Sequence, residues 1–166
     1  MKKDRNWPLI VITGFGVIAV FLITFVFIQG MAVNTVKEAL LIEKAYPKIR
    51  PQQYYRELLT IAKQNNLQIT VIKKTDNTFL LQIKREKLID KLLAEAPNVS
   101  LLAVVNTVIY DLGDGTGLVS TNPYIWDIIT PNSYIDDIAQ SFGEELSMIF
   151  DSVYWEYKKK EKMLKE

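Results

Sequence analysis

The chain has 166 residues, with 20 Lys and Arg against 19 Asp and Glu, a formal net charge of +1, and neither cysteine nor histidine. Those absences exclude thiolate nucleophiles, disulfides, iron–sulfur clusters, histidine-ligated haem, most zinc sites and the Ser-His-Asp arrangement, so no metal or cofactor is expected. The balanced charge gives no electrostatic reason to expect nucleic acid, and abundant Lys and Glu lean towards a thermophilic source.

From Leu9 to Ile28 the chain carries no charge, and its only polar side chains there are Thr13 and Thr24. At about 1.5 Å of rise per residue this run reaches roughly 30 Å, the thickness of a bilayer's hydrocarbon core. A signal-peptide core is shorter, ~7–15 residues, and the nearest small-x-small site is the weak Gly30-Met31-Ala32. Residues 8–29 are therefore read as a retained single-pass transmembrane helix. Lys2, Lys3 and Arg5 precede it, which keeps residues 1–7 cytoplasmic and places the rest in a periplasmic or extracellular compartment. Trp7 suits the membrane interface, as do Trp155 and Tyr157 beside the basic run of the C-terminus. Within the span, Thr13, Gly16, Val20 and Thr24 recur at spacings of three and four. That makes one stripe of small or β-branched side chains, the surface over which membrane helices pack closely.

Residues 30–50 read as a helical stalk, with Val33, Val36 and Leu40 on one stripe that meets either the chain's own domain or a partner helix. Pro47 and Pro51 break the pattern and open a domain of residues 51–154. Its first helix fits Gln52 to Asn65, with Tyr55, Leu58, Leu59 and Ala62 facing the core. Alternation through Leu67, Ile69 and Val71, a turn at Asp76-Asn77, and alternation through Phe79, Leu81 and Ile83 predict a hairpin. Helical spacing returns at Leu88, Ile89, Leu92, Leu93 and Ala96, before Pro97-Asn98.

A second hairpin follows. Leu101 to Leu112 is apolar on both faces and so central in the sheet, and a Gly-rich loop leads to Leu118–Thr121. Asn122-Pro123 caps a short helix through Tyr124, Trp126 and Ile129. The last helix carries Ile135, Ile138, Ala139, Phe142, Leu146, Ile149, Phe150 and Val153 on one stripe, ahead of a charged tail at 155–166. The predicted class is α+β: an antiparallel sheet of two hairpins with helices on one face, preceded by one transmembrane helix.

The stretch from about Phe79 to Val153, especially Val105-Asn106-Thr107-Val108-Ile109-Tyr110-Asp111, Gly115 and Val119-Ser120-Thr121-Asn122-Pro123, resembles the family known as domain of unknown function 302. The resemblance implies the same sandwich and, since that family has no agreed activity, no reaction. Many members carry a Pro-Cys pair where this chain has Val105-Asn106, so no cysteine role transfers.

The loop Asp111–Gly117 lacks EF-hand ligand spacing and a P-loop Lys, and reads as a hairpin turn. Asn106, Tyr110, Ser120, Asn122, Tyr124 and Trp126 are the candidate ligand-binding residues, polar groups at the sheet walled by aromatics. Asp136/Asp137 and Glu144/Glu145 sit on the solvent side of an amphipathic helix and do not form a catalytic pair. No catalytic residue is assigned. The expected function is that of a non-catalytic accessory subunit of a membrane complex, respiratory or transport, with membrane lipid and an integral-membrane protein or a second copy as partners. The alternative is a membrane-tethered binding domain for a small ligand or lipid.

Overall fold

The computed structural model describes residues 7–126, Thr130 and 133–164. The chain divides into two compact units, residues 1–37 and 38–166. The first unit is most of helix α1 (Trp7–Leu40), and every described side chain from Ile12 to Ala32 is exposed. That stretch is long and apolar enough to cross a membrane.

The second unit is an α+β sandwich. Strands β1 (Leu41–Pro47), β2 (Gln68–Lys74), β3 (Thr78–Lys84), β4 (Val104–Asp111) and β5 (Gly115–Thr121) form one antiparallel sheet in the order β1-β5-β4-β3-β2. The two predicted hairpins are β2–β3 and β4–β5, and β4 is the central strand as its two apolar faces require. Helices α2 (Pro51–Gln64) and α4 (Ser133–Met163) pack on one face, while α3 (Glu86–Glu95) and a 3-10 segment (Pro97–Ala103) join β3 to β4.

The fifth strand corrects the stalk. The helix stops at Leu40, and Leu41–Pro47 is an edge strand paired to β5 from Leu41↔Thr121 to Pro47↔Gly115. Leu, Glu, Lys and Ala favour a helix locally, but as a strand the segment buries Ile42 and Tyr46 and gains a full ladder. The domain thus begins near residue 38 rather than 51. At the other end, helix α4 continues through Met163, so most of the tail is helical rather than separate.

Alternation sorts the strands' side chains. Ile42, Tyr46, Phe79, Leu81, Ile83, Val105, Ile109 and Leu118 enter the core beneath the helices. Helix α2 contributes Tyr54, Leu58, Ile61 and Ala62, a face rotated from the expected one: Tyr55 and Leu59 are only partly buried. Helix α4 contributes Ile135, Ala139, Phe142, Leu146, Ile149, Phe150 and Val153, as its spacing predicts. In α3 only Leu92 is fully buried, and Leu93 is 53% exposed.

Two hydroxyl hydrogen bonds lie inside. Thr107 and Ser120 Oγ atoms are 2.9 Å apart across β4 and β5, and Thr116 donates to the Ile49 carbonyl at 2.6 Å. Among the described residues no buried side-chain nitrogen or oxygen lacks a partner, so hydrogen bonds offset the desolvation of these polar groups.

Candidate functional site

The six residues expected to line a ligand pocket do not converge. Ser120 points into the core, bonded to Thr107. Asn106 and Tyr110 belong to the face of β4 opposite α2 and α4, where the Tyr110 ring lies over Gly117, so closely that a Cβ there would collide with it. The reason is the two-residue period: Ser120 pairs with Thr107, one position out of phase with Asn106 and Tyr110.

Asn122 and Tyr124 do come together, with Leu41, Gln140, Gly143 and Glu144, around a groove of about 380 Å³. Asn122 also caps the turn as predicted, its Oδ1 accepting from the Tyr124 N–H at 3.2 Å. Trp126 is partly buried against the core. Residues 127–129, the end of the expected short helix, lie outside the described residues.

A larger concavity of about 720 Å³ lies at the far end of the sheet, where β1 ends and β5 begins. It is built by the β1–α2 loop (Lys48, Arg50) and the first turn of α2 (Gln52, Gln53), the β2–β3 turn (Asn77), the end of β4 and its turn to β5 (Asp111, Asp114), and Tyr157 of α4. Internal bonds hold these loops. The Lys48 N–H donates to the Asp114 carbonyl at 2.9 Å, and Asp111 accepts from the Gly113 N–H at 2.8 Å and from Asn77 Nδ2 at 3.1 Å. Gln52 Nε2 reaches the Asp76 carbonyl at 2.6 Å, and Gln53 Oε1 accepts from the Arg50 N–H at 3.2 Å and Tyr157 at 3.4 Å.

Lys48 is left-handed, at φ 62°, as is Gly113 at φ 89°, and both bends aim loop backbone around the cleft. The β4–β5 loop is the turn that its Gly and Asp content predicts. The rest of the cleft escaped the sequence reading, because its residues come from four separated segments. The pair Pro47 and Pro51 flanking Lys48 and Arg50 was its one local signal, and it reads first as a helix break. Two cations beside two carboxylates and several amides can hold a small polar or zwitterionic molecule. The cleft offers no nucleophile paired with a base.

Beneath it lies a tyrosine cluster. Tyr46 stacks on Tyr54 with ring centroids 4.9 Å apart, and on Tyr154 at 5.4 Å. Tyr46 donates to Asp151 Oδ1 at 2.9 Å, Lys44 Nζ lies 2.9 Å from Asp151 Oδ2, and Tyr54 donates to the Phe150 carbonyl at 2.9 Å. Burial pushes the pKa of both Tyr46 and Tyr54 far above the ordinary phenol value, so both stay protonated. The cluster pins β1 to α4 and serves structure.

On α1, Thr13, Gly16, Val20 and Thr24 are all exposed, and a Cβ on Gly16 would meet nothing within 4 Å. The Trp7 side chain, and that of Val33 in the stalk stripe, lie outside the described residues. Trp155 is 66% exposed, edge-on to Tyr154, and Tyr157 is half-buried at the cleft. Among the described residues no group of His, Cys, Asp and Glu is arranged to hold a metal ion.

No protein-family model matches this sequence, and no curated protein matches it either. Among solved structures, the chain is similar to an uncharacterized conserved DUF302 protein from Bacillus stearothermophilus, with a TM-score of 0.56 and 12% identity over 68% of this chain and 96% of that one. At that identity the likeness speaks to architecture alone: the α+β domain has the fold of a DUF302 protein, as the motif around β4 and β5 predicts.

Proposed function

We propose that the chain is a single-pass, non-catalytic accessory subunit of a membrane protein complex, with its N-terminus cytoplasmic and its DUF302-like domain outside. The observation that carries this reading is the span itself, Ile12–Ala32, exposed along its whole length and bearing a one-sided stripe of Thr13, Gly16, Val20 and Thr24. In lipid, helices gain nothing from hydrophobic transfer against each other, so small residues that permit close approach are what drives association. The domain's core, by contrast, is complete from Ile42 to Val153. A respiratory or transport assembly is a natural host for such a subunit.

The test is Gly16→Leu in the full chain, purified in mild detergent. The variant should stay membrane-bound yet lose its copurifying membrane proteins. Copurification at unchanged stoichiometry would remove the helix from the argument. Protease added to intact spheroplasts should degrade the domain, and protection there with cleavage in inverted vesicles would reverse the topology.

A second reading, a tethered domain that binds a small polar ligand or lipid headgroup, is favoured by the 720 Å³ cleft. Native mass spectrometry of the purified chain separates the two, since a binder carries a small molecule rather than protein partners.

A further inference from the structure

The sheet has one face beneath α2 and α4 and one that no described element of the domain is placed to fill. The register lays a continuous row across that second face: Lys73, Leu80, Val108, Val119 and Glu43, on β2, β3, β4, β5 and β1 in turn. Its middle three residues are apolar and half-buried, and its two ends are exposed and oppositely charged. On one side lies a second row, Thr78, Tyr110, Gly117 and Ala45, where the Tyr110 ring lies flat over Gly117. On the other side Gln82 pairs with Asn106.

We propose that this face packs against the same face of a second copy of the chain, about a two-fold axis running along the central strand β4. Face-to-face packing of two identical sheets permits two axes. An axis across the strands sets β1 over β1, so Glu43 meets Glu43 and Lys73 meets Lys73. An axis along the strands sets β1 over β2 of the other copy, so each Glu43 meets a Lys73, twice by symmetry. Charge therefore selects the second.

The same axis preserves strand direction, so both copies receive their chains from α1 at the same end of the sandwich, the Leu41 end. On the proposed single-pass reading, two copies tethered in one membrane need that arrangement, and the other axis denies it. Val108, central in its row and on the central strand, then lies on the axis facing its own copy, with Tyr110 facing its own.

Size fixes how strong the contact is. Five strands about 4.8 Å apart and seven residues long, at about 3.3 Å each, give a face of roughly 500 Å² per copy. Both copies together reach roughly 1,000 Å², the lower bound for a specific interface. Such a dimer is weak when free in solution and is favoured when tethering raises the effective concentration.

The chain has no native cysteine, which makes the test direct. Full-length Val108→Cys and Met148→Cys, the latter exposed on α4, are reconstituted in liposomes and treated with a short bismaleimide. Val108→Cys should cross-link to a dimer and Met148→Cys should not. In the Val108→Cys background, Glu43→Lys alone and Lys73→Glu alone should each lower the yield, roughly threefold to tenfold, by setting like charges opposite one another. The double reversal Glu43→Lys/Lys73→Glu should restore it, a rescue that a folding defect would not give. Equal cross-linking at 108 and 148, or no restoration by the double reversal, overturns the proposal.

Discussion

The Tyr46 hydroxyl donates to Asp151 Oδ1 at 2.9 Å, and the other oxygen of the same carboxylate receives Lys44 Nζ at 2.9 Å. One side chain of α4 thereby holds two residues of the edge strand. Asp151→Ala should cost about 1–3 kcal/mol, mostly because the buried Tyr46 hydroxyl loses its acceptor. Asp151→Asn keeps an acceptor and forfeits only a half-exposed ion pair, which contributes about 0–1 kcal/mol. Urea denaturation should rank the two variants in that order, and amide exchange should accelerate first in β1.

Alkaline pH should unfold the protein earlier than its charge alone requires. Burial raises the pKa of Tyr46 and of Tyr54 above the ordinary value of 10.0. Below that pH both folded and unfolded chains keep the phenolic protons, and these groups make no pH dependence. Above it the unfolded chain releases protons that the folded chain retains, so stability falls as pH rises. Spectrophotometric titration should show two tyrosines ionising only as the protein unfolds, and Tyr54→Phe should flatten the alkaline slope.

Gly115 has no room for a side chain. A Cβ there would press on the Tyr46 carbonyl and lie 2.9 Å from the Pro47 Cα, both backbone groups of β1. Gly115→Ala should therefore cost about 1–3 kcal/mol, through strain at the β1–β5 junction. Thermal unfolding reads the loss, and Gly14→Ala, in open space on α1, is the matching control.

A chain starting at residue 48 should not fold cooperatively, whereas one starting at residue 38 should. The first lacks β1 and exposes the β5 edge together with Tyr54, while the second retains the whole compact unit. In the longer chain, Phe142→Ala and Ile109→Ala should each cost about 2–5 kcal/mol, since both side chains are buried. Calorimetry of the two truncations distinguishes one cooperative transition from none.

Strong periodicity made the two hairpins, the central position of β4 and the core stripe of α4 legible in the sequence. Strand β1 was not. Leu41 to Ala45 has the propensity of a helix that simply continues α1, and its strand conformation depends on a partner far along the chain. The face of α2 was misjudged because Tyr54-Tyr55 and Leu58-Leu59 offer two adjacent stripes, and only packing of Tyr54 against Tyr46 chooses between them. The candidate site failed for a third reason. Ser120 and Asn106 are compatible in type but out of phase in register, which hydrophobic alternation alone does not fix when both faces of β4 are apolar.

The pairing of β1 with β5 also sets an order of assembly. Synthesis runs from the N-terminus, so Leu41–Pro47 is made directly after the apolar helix, while its only sheet partner, Gly115–Thr121, is made after every other strand. The β2–β3 hairpin and α2 can associate from neighbouring segments before then, but the β1 edge has to wait. During that interval the Leu41–Pro47 segment has no ladder to join. Closing the sheet is thus a late step, and a chain arrested before β5 leaves Ile42 and Tyr46 without the ladder that buries them.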